Sequence, residues 1–132
     1  MSGIGNISPI SIAMSGLQVE SARMNVIASN IANASTAKCA DGQPYRRQFL
    51  LTETPRGQLG VQIDKIAHDQ SAFKQIYEPG RPDAVDGYVS APNVEVPREM
   101  VDMVIASRAY QANAAVMKRY AEVMDVALEL LR

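Results

Sequence analysis

The sequence predicts a mainly α protein in which an N-terminal and a C-terminal helix pair antiparallel as a coiled coil, with a short β-hairpin inserted in an irregular middle. Apolar side chains recur at alternating three- and four-residue steps at both ends of the chain, which is the spacing of a coiled-coil seam. Turn-forming Gly and Pro dipeptides punctuate the middle. Aromatics are 5% of the chain, Trp is absent and Met occurs seven times, a composition that suits helix–helix seams better than a β-sandwich core. The 132 residues make one domain of ordinary size, which divides into an N-terminal helix (1–36), a β-hairpin with an extended Pro/Gly-rich segment (37–96) and a C-terminal helix (97–132).

The first helix is expected to begin at Ser8, whose hydroxyl accepts an orphan N–H, with Pro9 in the first helical position. Its seam reads Ile7, Ile10, Met14, Leu17, Met24, Ala28 and Ile31, with Ser21 in the one polar slot. The pattern fades after Asn33, ahead of the turn signal Asp41-Gly42. Strands are expected over 45–53 and 59–66, joined by the turn Thr54-Pro55-Arg56-Gly57, with a third strand over 72–78. Three such strands make a thin sheet, marginal unless something packs on it. Pro79-Gly80, Pro82, Gly87, Pro92 and Asn93 then form an extended return path.

The last helix carries the strongest signal, with Pro97 as its expected first residue. From Val96 its seam runs Met100, Met103, Ser107, Tyr110, Ala114, Met117, Ala121, Met124, Leu128 and Leu131 without an interrupting Gly or Pro. A helix of roughly 35 residues is about 50 Å long, more than so small a chain can cover alone.

Both helices also carry a second apolar row on the side away from the seam: Ile12, Val19 and Val26 in the first, and Val116, Val123 and Leu130 in the last. A two-helix hairpin buries one face of each helix. Burying one Val, Leu or Ile is worth roughly 1.5–3 kcal/mol, so six left in water forfeit a large stabilisation. The expectation is that other chains cover these rows.

Other functions find little support. Lys and Arg number 13 against 14 Asp and Glu, a net charge of -1, which does not provide the clustered cations of a nucleic-acid surface. The single cysteine, Cys39, allows neither an intrachain disulfide nor a multi-cysteine metal site, and reads as a tolerated free thiol. His68 stands in another segment, with no third group marked to orient a Cys–His pair. Asp83 and Asp86 lack the ligand spacing of a calcium loop and read as turn-formers. Gly3-Ile4-Gly5 does not complete a dinucleotide fingerprint, and the sequon Asn33-Ala34-Ser35 is a weak triplet at a helix end. The expectation is a protein that is not an enzyme and uses no cofactor or metal. No run approaches the eighteen or so apolar residues of a membrane span. The start of the chain lacks the basic segment, apolar run and cleavage site of a secretory signal, so export, if it occurs, is expected without a cleaved signal.

Ser29-Asn30-Ile31-Ala32-Asn33-Ala34 resembles the Asn/Ala motif that ends the N-terminal helix of flagellar rod, hook and hook-associated proteins. Ser107-Arg108-Ala109-Tyr110-Gln111-Ala112-Asn113 resembles the partner motif in their C-terminal helix. More narrowly, Asp41-Gly42-Gln43-Pro44-Tyr45-Arg46, Tyr77-Glu78-Pro79-Gly80-Arg81-Pro82-Asp83-Ala84, Gly87-Tyr88-Val89 and Pro92-Asn93-Val94 resemble the proximal rod proteins of the FlgC type. Ser35-Thr36-Ala37-Lys38-Cys39 departs from the Thr-Pro-Gly-Tyr-like turn common in the wider family. The resemblance implies a structural subunit of the bacterial flagellar basal body, periplasmic and exported unfolded by the flagellar type III apparatus. Its implied partners are self-copies, other rod subunits and components at the inner-membrane ring. Asn30, Asn33, Gln111 and Asn113 would then bond across helix contacts and fix register, against the plainer expectation of capping and solvent exposure. The rival reading is a coiled-coil binding module, such as a secretion chaperone or adaptor, whose helices are stable alone.

Overall fold

A computed structural model of the chain describes residues 8–131, so Ile7 and the Gly3-Ile4-Gly5 run lie outside the described residues. The order is α1 (Pro9–Ala32), β1 (Gln48–Glu53), β2 (Gln62–His68), β3 (Lys74–Tyr77), β4 (Tyr88–Ala91) and α2 (Val96–Leu130). Helices at both ends and a small β middle agree with the expected class.

Ser8 caps α1 through its hydroxyl, which accepts the Ile10 N–H at 3.4 Å, and Pro9 follows in the first turn. The α2 helix begins at Val96, so Pro97 is its second residue, where its missing N–H is still harmless. The helices run antiparallel: Asn30 meets Glu99, and Gly16 lies against Asn113. That register sets Pro9 opposite Tyr120, and 121–130 continues past α1 for about 15 Å, exposed throughout.

Helix contact follows a different line from the expected seam. Buried on α1 are Ala13, Val19, Val26, Ile27 and Asn30, and on α2 Glu99 and Ala106. None of the seam residues Ile10, Met14, Leu17, Met24, Ile31, Met100, Met103, Tyr110, Met117, Met124, Leu128 and Leu131 is buried. The contacts of Gly16 with Asn113 and of Asn30 with Glu99 define a register whose seven-residue rows run Pro9, Gly16, Arg23 and Asn30 on α1 and Tyr120, Asn113, Ala106 and Glu99 on α2, mostly small or polar side chains. Small residues let the backbones approach. A Cβ placed on Gly16 would stand 2.5 Å from Asn113 Nδ2. Gly16→Val is therefore expected to wedge the pair apart and cost about 1–3 kcal/mol, read by denaturant unfolding, with Asn113→Ala recovering part of the loss.

The middle departs from the expected three-stranded sheet. β1 and β2 form one antiparallel pair, with a register shift between Leu51 and Thr52, and β3 and β4 form another. The 88–91 segment, expected as part of the return path, is β4. The reason is local: Asp86 (φ 51) and Gly87 (φ 82) make a two-residue turn in which Val85 and Tyr88 exchange backbone hydrogen bonds of 2.9 Å. This turn leads into Tyr88, which pairs with Tyr77 across the β3–β4 ladder. Gly87 is needed twice over, because a Cβ there would also lie 2.7 Å from the Tyr77 ring.

The β1–β2 hairpin packs on α1, while α2 touches no element except α1. Gly60 (φ 107) allows the hairpin to approach Ser15, whose hydroxyl accepts the Val61 N–H at 3.1 Å. This corrects one expectation. Val19 and Val26 are 3% and 7% exposed, because the chain's own α2 and hairpin cover α1 where another subunit was expected to. The α2 row stays open, with Val116 at 49%, Val123 at 65% and Leu130 at 84%. Ile12, at the margin of the α1 row, is partly exposed.

Candidate functional site

Where the C-terminal end of α1 meets the start of α2, the chain is joined by a buried polar clasp. Asn30 and Glu99 are both fully buried. The Asn30 amide reads the peptide edge of Gln48 at the start of β1. Its Nδ2 donates to the Gln48 carbonyl at 2.8 Å, and its Oδ1 accepts the Gln48 N–H at 2.9 Å. Nδ2 also donates to Glu99 Oε2 at 2.9 Å, and Oδ1 accepts from the Tyr45 hydroxyl at 3.0 Å. The other Glu99 oxygen accepts from Arg47 Nε at 2.5 Å, and Arg47 reaches Asp102 at 3.5 Å. A buried carboxylate is tolerable only when paired and hydrogen-bonded in this way.

A second ring of bonds extends the clasp. Asn93, just before α2, accepts the Arg47 N–H at 2.8 Å and donates to the Asp69 carbonyl and the Ser71 hydroxyl. Asp69 itself accepts the Ser71 N–H at 2.9 Å, and that bond, with the Ser71 hydroxyl, holds its carboxyl below the ordinary carboxylate range. Arg46 lies over the Phe73 ring at 4.2 Å and donates to the Asp69 and Ser71 carbonyls. Since Tyr45 N–H goes to Thr36 and Arg47 N–H to Asn93, β1 begins at Gln48, later than the expected 45. Among the described residues no buried side-chain polar atom lacks a partner.

The four motif residues therefore play different parts. Asn30 crosses from α1 to both β1 and α2. Asn33 closes its own helix, with Nδ2 donating to the Ser29 carbonyl at 2.9 Å and Oδ1 accepting from Thr36. Asn113 is a packing contact for Gly16, and Gln111 is exposed. Tyr45 and Asn93 entered the sequence reasoning only within family motifs and the return path, without a role at a site, and Arg47 and Glu99 were not singled out at all. The available signal was the seven-residue row through Glu99, Ala106, Asn113 and Tyr120, which a search for large apolar residues passes over.

The rest of the chain offers little to a substrate. Asp83 is ion-paired to Arg81 at 2.9 Å, and the Arg81 bond keeps its carboxyl low. Asp86 serves the turn, and His68 is exposed at the end of β2. Among the described residues no cluster of His, Cys, Asp or Glu could hold a metal ion, and no helix is long and apolar enough to cross a membrane.

Fold and site together define a helix-pair protein, hydrogen-bonded throughout at its buried clasp and open along the far part of α2. Comparison with known proteins agrees. Residues 10–37 match the family described as flagella basal body rod protein, and residues 85–130 match the flagellar basal body rod FlgEFG protein C-terminal family. A flagellar basal-body rod protein FlgC of Borreliella burgdorferi is 38% identical, covering 98% of this chain and 99% of its own. The FlgC of Salmonella typhimurium is 43% identical over 90% and 92%, and that of Bacillus subtilis is 34% identical over 92% and 95%. The chain belongs to the FlgC-type family of flagellar basal-body rod proteins. It is a structural subunit of the rod, from a family that is not one of enzymes.

Proposed function

We propose that the subunit assembles helically through its terminal helices, with copies of itself and neighbouring rod subunits, into the hollow axle between motor and hook. One observation carries this reading: past its first turns, where Glu99 and Asp102 meet Arg47, the 35-residue α2 has α1 as the one helix or strand it packs against, and it leaves Val116, Val123 and Leu130 in water. A helix apolar on several sides gains its stability from neighbours on those sides. The half-exposed row of Met14, Leu17, Met24, Met117 and Met124 offers a further adaptable surface to adjacent subunits. The β hairpins face outward and select neighbours, among them components at the inner-membrane ring. The chain works in the periplasm, reached unfolded through the flagellar export apparatus without a cleaved signal, and it catalyses no reaction.

Isolated hook–basal bodies test the proposal. The chain is expected in the rod, by immunogold labelling and by quantitative mass spectrometry of the purified particles. Recovery only from the cytosol, bound to a client protein, would instead support the secretion-chaperone reading.

A further inference from the structure

We infer that α2 of one copy packs parallel to α2 of a second copy, shifted along the axis so that the acidic end of one lies beside the basic stretch of the next. This rests on the rod-subunit reading and specifies which surfaces meet.

The charges of α2 are segregated by sign. Between Met103 and Ala121 its ionised side chains are Arg108, Lys118 and Arg119, all basic; from there to Leu131 they are Glu122, Asp125 and Glu129, all acidic. All six are exposed, and none belongs to an ion pair among the described residues. The partner helix cannot answer Lys118, Arg119 or the acidic group, because the sequence ahead of Glu20 holds no charged side chain, and Glu20, near the height of Arg108, is paired with Arg23. Of the acidic group, Glu129 also sits in the last turn, at the negative end of the helix macrodipole, where α2 has no basic residue. Local electrostatics thus oppose this helix end in the single chain. A sequence that breaks a local rule in this way has its compensation elsewhere.

A second copy supplies that compensation. Val126 lies within the arc of α2 that carries the charges and Val123 beside it, and both are exposed, so the same side-by-side contact buries apolar surface while it pairs opposite signs. Because the two patches lie at different heights on one helix, the contact is heterologous. Each copy keeps a free basic stretch and a free acidic end, and the arrangement continues without closing.

The test uses two full-length variants in cells lacking the wild-type chain, read by the amount of each in isolated basal bodies. One carries Arg108→Glu, Lys118→Glu and Arg119→Glu; the other carries Glu122→Lys, Asp125→Lys and Glu129→Lys. Helix content by circular dichroism is read for both variants and expected within about a tenth of wild type, since the local charge pairs altered are individually weak. Each variant alone is expected to incorporate about tenfold less or worse, the scale of losing close charge pairs at an interface. Expressed together they are expected to recover, since each supplies the sign the other lacks. Normal incorporation of either variant alone, or no recovery on co-expression, would overturn the inference. Carbodiimide crosslinking of wild-type rods is expected to join Lys118 to a neighbour's carboxylate in a ladder beyond dimer, and products that stop at dimer would also overturn it. Absence of the wild-type chain from basal bodies would count against the rod reading itself.

Discussion

Replacing Asn30 with Asp is expected to destabilise the chain by about 3–5 kcal/mol, the cost of leaving a buried charge without its partner. The substitution conserves shape and removes one hydrogen-bond donor. That donor serves the Gln48 carbonyl at 2.8 Å and Glu99 Oε2 at 2.9 Å, so the new carboxylate would face two acceptors in a site without water access. Asn30→Ala is expected to cost less, about 3 kcal/mol, because it strands the Gln48 peptide group and one Glu99 oxygen but adds no charge. Urea unfolding at neutral pH ranks the two. If Asp proves no worse than Ala, the Asn30 donor does not hold Glu99 in place, and the clasp is a consequence of folding rather than a cause. Rod incorporation should fall with stability in both, since the clasp sets how the β1–β2 hairpin sits on α1.

The exposed row of α2 is expected to behave in the opposite way. Val116→Ser, Val123→Ser and Leu130→Ser together should leave monomer stability within about 0.5 kcal/mol per site, as surface changes do, while incorporation into basal bodies is lost. Val19→Ser or Val26→Ser should each cost roughly 2–3 kcal/mol of folding stability, because both side chains are buried by the chain's own helix and hairpin. Sedimentation and thermal unfolding of the purified variants, set beside basal-body counts, separate the two classes. Normal assembly of the α2 triple variant would mean that the row faces solvent in the rod, and the case for a partner on that side would fall.

These two predictions divide where the sequence pattern did not. Val19 and Val26 carry the same seven-residue spacing as Val116 and Val123, and periodicity treats all four alike. What separates them is the β1–β2 hairpin, which is held against α1 by Ser15 receiving the Val61 N–H and by Asn30 gripping Gln48. Both contacts join residues far apart in the chain and leave no trace in local spacing. The failure to see β4 has a simpler source: its Asp86-Gly87 turn lay among so many Pro and Gly residues that it read as an irregular path.

The sequence by itself determined the two helices, the Ser8 cap of the first, a hairpin near its expected strands 45–53 and 59–66 and the family motifs, because each rests on local preferences: a Ser-Pro start, an unbroken apolar period, a glycine turn. It also marked α2 as too long and too apolar for its own chain to cover. Only the tertiary structure decided which faces meet. The helices meet at Gly16 against Asn113 and at Asn30 against Glu99, with Ala106 buried between, residues suited to close approach and hydrogen bonding rather than bulk. Hydrophobic periodicity shows where a helix wants cover. It does not show which neighbour provides it, since the nearest backbone approach favours small and polar side chains that such a pattern counts as gaps.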